Sequence, residues 1–247
     1  MKISAIFSDY DGTLAPEDVS VESSSVPKEI EEPLRRLGSS VPVAIVTSKD
    51  YGFIRPRTGF ARAWACVSGL EITLRDGRAF PATRVSGRVQ DGLKCVKRRD
   101  ELGLTIELKR GMTGELLGFA IDWSRASPPP GQFIKTTTAE LTELGLTVVH
   151  DPTWRFLDVF GARPDKGRAV RELKRLLKVT GNVLFMGDST ADNRAFEEAE
   201  VAICVEHGQG LENLRCRFAL PYYELGGFLR SLSDHDLSLD LRALRRK

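Results

Sequence analysis

The sequence has few residues of the kinds that build disulfide frameworks, zinc sites or histidine-based catalysis. Its 247 residues include four cysteines and three histidines, and no two cysteines stand in a C-x-x-C pair. Cysteines spaced this widely are typical of small, largely buried side chains in a reducing compartment. None of the three histidines lies in a recognisable nucleophile motif. We therefore expect the chemistry to come from carboxylates, lysine and hydroxyl groups.

The sequence also lacks long apolar runs and an excess of one charge. No apolar stretch approaches the roughly 18 residues of a membrane-spanning helix. Strand-like residues lead directly into Asp9, where a signal peptide would continue its apolar core. Lysine and arginine number 36 against 34 acidic residues, a net charge of +2, so no strong field favours nucleic acid or a membrane surface. The sequence predicts a cytoplasmic protein that binds neither nucleic acid nor membranes, and it makes no prediction about oligomeric state.

Two carboxylates stand one residue apart directly after the first apolar stretch. Residues 3–7 predict a buried strand, and Asp9 and Asp11 follow it. Their spacing of two places both side chains on the same side of an extended chain. Like charges this close repel, and a nearby cation is the simplest way to keep both ionised. Gly12 then allows a sharp exit from the strand, and Thr13 offers a hydroxyl group.

Three later stretches place polar side chains at the ends of apolar elements. A second predicted strand ends at Thr47. Lys166 lies in the first turn of a predicted helix, where it opposes the helix dipole, and this indicates a local anion. A third strand is followed by Asp188 and Asp192, and the helix after it favours negative charge at its N-terminus.

Residues 75–152 differ from the rest of the chain in their pattern of predicted strands and helices. Strand and helix patterns alternate there without the regular order of the flanking segments, which predicts an α+β domain inserted into an α/β core. The predicted organisation is a core of residues 1–74 and 153–247 and a cap of residues 75–152. The fold class is α/β, with a doubly wound, Rossmann-like parallel sheet in the core. In such a sheet the strand ends converge on one crevice.

Taken in order, these patterns resemble the four motifs of the haloacid dehalogenase (HAD) superfamily. The sequence DYDGTLAP, residues 9–16, is similar to the first motif of its trehalose-6-phosphate phosphatase branch. The residues SGLEI, 68–72, are similar to the stretch that precedes the cap in type IIB members. The resemblance covers residues 3–53 and 155–205 well, and it covers the insert by position and size.

The resemblance implies a phosphatase with an aspartyl-phosphate intermediate. Asp9 would be the nucleophile, and Asp11 would protonate the leaving alkoxide and then activate water. Thr47 and Lys166 would bind the phosphoryl oxygens. The substrate would be a sugar phosphate monoester, and the cap would supply contacts to its leaving group.

The resemblance also implies Mg²⁺ as the cofactor. The side chains of Asp9 and Asp188 and the backbone carbonyl of Asp11 would hold the ion, with Asp192 in support. Oxygen ligands suit this hard cation, and histidines would not. The basic residues of the insert are most simply a solvated surface, although one or two are candidates for contacts to the leaving group. They are Lys94, Lys97, Arg98, Lys109 and Arg110.

Several alternatives remain open at this point. Trehalose 6-phosphate is the best single guess for the substrate, but Ser68-Gly69-Leu70-Glu71 departs from the His-Gly-x-Glu form of that branch. Mannosyl-3-phosphoglycerate, sucrose phosphate and phosphoglycolate are therefore also candidates. A phosphomutase of the same superfamily, similar to phosphomannomutase, would share the core motifs. A signalling receiver domain would be about half as long and would lack the D-x-D pair.

Overall fold

The computed structural model contains two sheets, one of nine strands and one of four. It describes residues 1–16, 19, 23–81, 85–97, 104–126, 131–150, 155–208 and 212–247. The first part of the chain forms β1 (Ile3–Ser8), α1 (Lys28–Ser40), β2 (Val43–Val46), α2 (Tyr51–Arg57), β3 (Ala63–Cys66), β4 (Glu71–Leu74) and β5 (Ala79–Pro81).

The middle of the chain forms the smaller sheet and two helices. These elements are α3 (Val89–Lys97), β6 (Thr105–Arg110), β7 (Leu116–Asp122), α4 (Gly131–Glu143), β8 (Thr147–Val149) and β9 (Phe156–Phe160). The last part returns to the larger sheet. Its elements are α5 (Lys166–Leu176), β10 (Asn182–Gly187), α6 (Asn193–Glu197), β11 (Val201–Glu206), β12 (Phe218–Pro221), α7 (Leu225–Asp234) and β13 (Arg245–Arg246).

The larger sheet has the strand order β13-β12-β11-β10-β1-β2-β3-β4-β5. The six strands from β12 to β3 are parallel, and β13, β4 and β5 add antiparallel edges. Successive residues of β1 point to opposite faces, so Ile6 packs with α1 and α7 while Phe7 packs with α5 and α6. The predicted doubly wound parallel core is therefore confirmed.

The smaller sheet is antiparallel throughout, with the order β6-β7-β9-β8. Helices α3 and α4 cover one of its faces through a separate apolar cluster that includes Val89, Phe119, Leu141 and Val159. This arrangement confirms the predicted α+β insertion. Within the described residues, no helix combines the length and the apolar character needed to cross a membrane.

The chain passes between the larger and the smaller sheet at positions that differ from the predicted domain boundaries. Strand β5, reached through the turn at Asp76-Gly77, pairs with β4 and so extends the larger sheet. Strand β9 pairs with β7 from Phe156 to Phe160 and so belongs to the smaller sheet. The division into two domains stays a prediction, but strand pairing favours boundaries after Pro81 and after Phe160 over boundaries at 74/75 and 152/153.

Helix α1 contacts α7 through an unusually close backbone approach. Pro33 lies inside α1 and has no N–H to donate to the carbonyl of Glu29, four residues earlier. Gly226 of α7 faces that carbonyl, and a Cβ atom at position 226 would lie 2.7 Å from the Glu29 oxygen. The helix continues past Gly38 to Ser40.

Two adjacent glycines of α7 provide a test of this contact. We expect Gly226→Ala to lower the free energy of unfolding by about 1–3 kcal/mol, because the added methyl group forces the helices apart. Gly227 is exposed, and a Cβ atom there meets no atom within 4 Å. Gly227→Ala should therefore leave stability unchanged or raise it by up to about 1 kcal/mol. Urea unfolding of both variants measures the difference, and equal effects would contradict the packing described.

Candidate active site

Polar side chains gather at the carboxyl ends of three neighbouring parallel strands. Asp9 follows β1, Thr47 follows β2 and Asp188 follows β10, and β1 lies between the other two. The carboxyl ends of parallel strands lie along one edge of a sheet, where a crevice forms. Lys166 reaches the same edge as the first residue of α5.

Lys166 joins two carboxylates that lie far from it in the sequence. Its Nζ donates hydrogen bonds to Oδ2 of Asp9 and Oδ1 of Asp192, both at 2.7 Å. All three side chains are almost completely buried. Burial alone would lower the pKa of Lys166, but Asp192 and Asp9 outweigh that effect and raise it. The lysine is therefore held charged, and the local anion indicated by its position is this pair of carboxylates.

Asp192 also shapes the loop that follows β10. Its Oδ2 accepts hydrogen bonds from the backbone N–H groups of Asp188 and Ser189, each at 3.2 Å. Gly187 makes this approach possible, because a Cβ atom at position 187 would lie 2.6 Å from the Cγ of Asp192. Both oxygens of Asp192 are thus occupied by protein donors, which favours a supporting role for this carboxylate.

The loop after β1 is fitted closely to Asp188. Gly12 has a φ of +67°, and a Cβ atom on it would lie 2.5 Å from Oδ2 of Asp188. The hydroxyl of Thr13 donates to Oδ1 of the same carboxylate at 2.9 Å. The carbonyl of Tyr10 accepts hydrogen bonds from three successive N–H groups, at positions 13 to 15. Glycine and threonine after the acidic pair therefore serve a compact turn that contacts Asp188.

The acidic cluster fits a divalent metal ion. One oxygen from each of Asp9, Asp188 and Asp192 lies within 4.8 Å of the others. Burial raises the pKa of Asp188 well above its usual range, and the nearby carboxylates add to that effect. Burial likewise raises the pKa of Asp9 to about 7, although Lys166 opposes it. When all three carboxylates are ionised they exceed the one lysine by two negative charges, which a hard cation such as Mg²⁺ would balance with oxygen ligands.

Asp11 lies between this cluster and the smaller sheet. Burial raises its pKa, while Lys49 lowers it and Glu107 raises it further. Lys49, two residues after Thr47, ends 3.3 Å from a carboxylate oxygen of Glu107 on β6. Its ammonium group therefore pairs with a cap carboxylate and acts electrostatically on a core carboxylate.

A second lysine joins the smaller sheet to the core. Lys109 of β6 is buried, and its Nζ donates to the backbone carbonyl of Ser48 at 3.1 Å. It also forms an ion pair of 2.7 Å with Asp158 of β9. Strand β6 thus contacts the loop that follows β2, and Asp158 of β9 pairs with the lysine that makes this contact.

The basic residues of the insert now divide into two groups. Lys109 lies at the crevice, whereas Lys94, Lys97 and Arg110 are exposed and agree with a solvated surface. Arg98 lies outside the described residues. The alternating pattern of residues 104–109 places Glu107 and Lys109 on the same side of a strand. This alternation is the sequence feature from which their shared position could have been predicted.

The structure brings together Asp9, Lys166, Asp188 and Asp192 through direct contacts or close approach. Asp11 and Thr47 lie at the same edge. Thr47 is buried, and its Oγ1 accepts the backbone N–H of Lys49 at 3.1 Å, so the hydroxyl hydrogen remains as a donor. The roles of these residues stay predictions. Lys49, Glu107 and Asp158 were not among the predicted site residues.

Comparison with known proteins gives one partial family match and several similar structures. Residues 131–214 match the family model for sucrose-6F-phosphate phosphohydrolase. A comparison of the sequence with curated proteins gives no match.

The similar structures align over nearly the whole chain at low identity. The trehalose-6-phosphate phosphatase C-terminal domain of C. albicans has a TM-score of 0.76 at 16% identity, covering 95% of this chain and 93% of that one. A trehalose-6-phosphate phosphatase related protein has a TM-score of 0.69 at 19% identity, with coverages of 94% and 98%. A sugar phosphatase of HAD subclass IIB has a TM-score of 0.65 at 12% identity, with coverages of 95% and 100%.

The balance of charge around Lys166 can be tested without substrate. We expect Lys166→Met, measured in chelator, to lower the free energy of unfolding by about 3–5 kcal/mol, because two buried carboxylates lose their cation. Adding Asp9→Asn should recover part of that loss by removing one of the charges. Lys135→Met, at an exposed position of α4, is the control and should change stability by less than about 0.5 kcal/mol. Equal effects at 166 and 135 in urea unfolding would refute the charge argument.

Proposed function

The chain has the fold of the haloacid dehalogenase phosphatases of subclass IIB, and on that premise we propose that it hydrolyses a sugar phosphate monoester, with trehalose 6-phosphate as the first candidate. The observation that carries this proposal is the buried cluster in which Lys166 joins Asp9 and Asp192 beside Asp188. A phosphate ester is an anion, so a carboxylate nucleophile can approach it only where cations offset the repulsion.

In the proposed reaction Asp9 attacks the phosphorus atom of the ester. The bond from phosphorus to the leaving oxygen breaks, and Asp11 donates a proton to that oxygen. Asp11 then accepts a proton from a water molecule that attacks the aspartyl phosphate. Inorganic phosphate leaves, and the carboxylate of Asp9 is restored. The raised pKa of Asp11, caused mainly by burial, suits a group that must first donate a proton.

The phosphoryl group would lie between the remaining polar residues of the core. Lys166 places its ammonium group against Asp9 and would offset charge on the phosphoryl oxygens. Thr47 would donate its hydroxyl hydrogen to one of those oxygens. Asp9, Asp188 and the carbonyl of Asp11 would hold Mg²⁺, with Asp192 in support. When bound, the ion would supply the charge compensation that phosphoryl transfer needs.

Charge at the cap side of the crevice favours a neutral leaving group. Lys49 is paired with Glu107, and Lys109 is paired with Asp158. A set of paired donors and acceptors suits the hydroxyl groups of a sugar. Phosphoglycolate and mannosyl-3-phosphoglycerate carry a carboxylate that would meet Glu107 and Asp158 instead. The likeness to a trehalose-6-phosphate phosphatase ranks that substrate first, and the partial family match ranks sucrose phosphate next.

The reaction class is tested with a generic aryl phosphate. We expect phosphate release that depends on Mg²⁺ and disappears in chelator. Asp9→Asn should abolish turnover, because an amide is a poor nucleophile, and Asp11→Asn should slow it by about 10²–10⁴-fold, as expected for loss of a general acid and base. Asp91→Asn, on the exposed surface of α3, is the matched control and should keep the wild-type rate. Full activity in chelator, or in Asp9→Asn, would overturn the assignment.

The substrate is tested by a phosphate-release screen at fixed Mg²⁺. We expect kcat/KM for trehalose 6-phosphate to exceed the values for phosphoglycolate and mannosyl-3-phosphoglycerate at least tenfold, which is about 1.4 kcal/mol of transition-state binding. Sucrose phosphate and a hexose 1-phosphate complete the panel. A flat profile, or a preferred substrate with a charged leaving group, would contradict the argument. A hexose 6-phosphate product from hexose 1-phosphate would indicate the phosphomutase alternative.

A further inference from the structure

The turn after β1 is also held by a residue that has no part in the proposed reaction. His207 comes directly after the last residue of β11, and its Nε2 lies 2.5 Å from the carbonyl oxygen of Gly12. A carbonyl oxygen can only accept, so Nε2 carries the hydrogen and donates it. The side chain reaches past the end of β10 to the loop that follows β1, because β10 lies between β1 and β11.

A second residue supports the same turn and orients the imidazole ring. Tyr222, the first residue after β12, stacks on His207 with ring centroids 4.8 Å apart and an interplanar angle of 26°. Its hydroxyl donates to the carbonyl of Leu14 at 3.2 Å. Burial raises the pKa of Tyr222 to about 12, so the phenol remains protonated and able to donate. The side chains of His207 and Tyr222 thus each donate to a carbonyl of the turn after β1.

The position of the Gly12 peptide affects its neighbours Asp11 and Thr13 and the contact with Asp188. On one side its Cα is so close to Asp188 that a Cβ atom would collide with the carboxylate. The residue before it is Asp11, and Thr13 after it donates to Asp188. A displacement of the Gly12 carbonyl would therefore move the proposed acid and base, and it would change the turn's fit against Asp188.

We propose that His207 is a positioning residue for this active site. Its Nε2–H fixes the Gly12 carbonyl, and through that peptide it sets where Asp11 and Thr13 lie relative to Asp188. The inference rests on the proposed phosphatase function. His207 itself is exposed, so its substitution removes little core packing, and its effect falls on geometry at the reacting centre.

Misplacement of a reacting group lowers the rate of the chemical step more than it weakens substrate binding. A shift of about 1 Å can cost about 100-fold in rate. The loss of one anchoring hydrogen bond, with Tyr222 still in place, should cost less than that. We therefore expect a fall in kcat with little change in KM, which is the signature of an effect in the transition state.

The experiment compares His207→Gln with His207→Met. The two side chains have similar length and volume, but only glutamine keeps an N–H group near the position of Nε2. Steady-state kinetics with an aryl phosphate and Mg²⁺ give kcat and KM, and thermal unfolding shows whether each variant is folded. His235→Met is the control, because His235 lies at the end of α7, exposed and bonded to the carbonyl of Ser231.

We expect His207→Met to lower kcat by about tenfold or more with KM changed less than about threefold, and His207→Gln to stay within about threefold of wild type. His235→Met should match wild type. Equal rates for wild type and His207→Met would overturn the inference, and so would a loss in His207→Gln as large as that in His207→Met. An inactive wild-type protein would instead refute the proposed function. If His207→Met does not fold, the turnover of His207→Gln decides the test. Turnover near the wild-type value then supports the inference, and a clear loss overturns it.

Discussion

The gathering of three carboxylates, two of them buried, beside a single lysine is the constraint on which the rest of this structure depends. Asp9, Asp188 and Asp192 lie at one sheet edge with Lys166 as their immediate cation. Burying like charges away from water lowers the stability of the folded protein unless each charge is paired or coordinated. The two negative charges that remain when all three are ionised fit a divalent cation.

The fold satisfies this constraint by placing distant parts of the sequence at the same edge. Lys166 is 157 residues from Asp9 and 26 from Asp192, and it meets both because β1 is central and α5 begins above the strand ends. Glycines complete the fit where side chains would collide with carboxylates. Gly12 touches Asp188, and Gly187 touches Asp192. A carboxylate cluster of this kind therefore requires both the parallel topology and particular positions without a Cβ atom.

The sequence predicted this edge well because its signals are local. Three of the motifs follow a short apolar strand and the fourth opens a helix, and the fold that their resemblance to the HAD superfamily implied is confirmed. Contacts between the two sheets were not predicted, since they depend on long-range pairing. Strand β9 joins the smaller sheet, and Lys49 meets Glu107 across 58 positions of sequence. His207 carried no recognisable motif, and only the order of β1, β10 and β11 brings it to Gly12.

The core side and the cap side of the crevice differ in their balance of charged groups. At the core, three ionised carboxylates exceed one lysine by two negative charges, and a divalent metal ion would balance that excess. At the cap, Lys49 and Lys109 are each matched by a carboxylate. Lys49 also lowers the pKa of Asp11 against the effect of burial, so the same side chain acts on the proposed acid and base and contacts the cap.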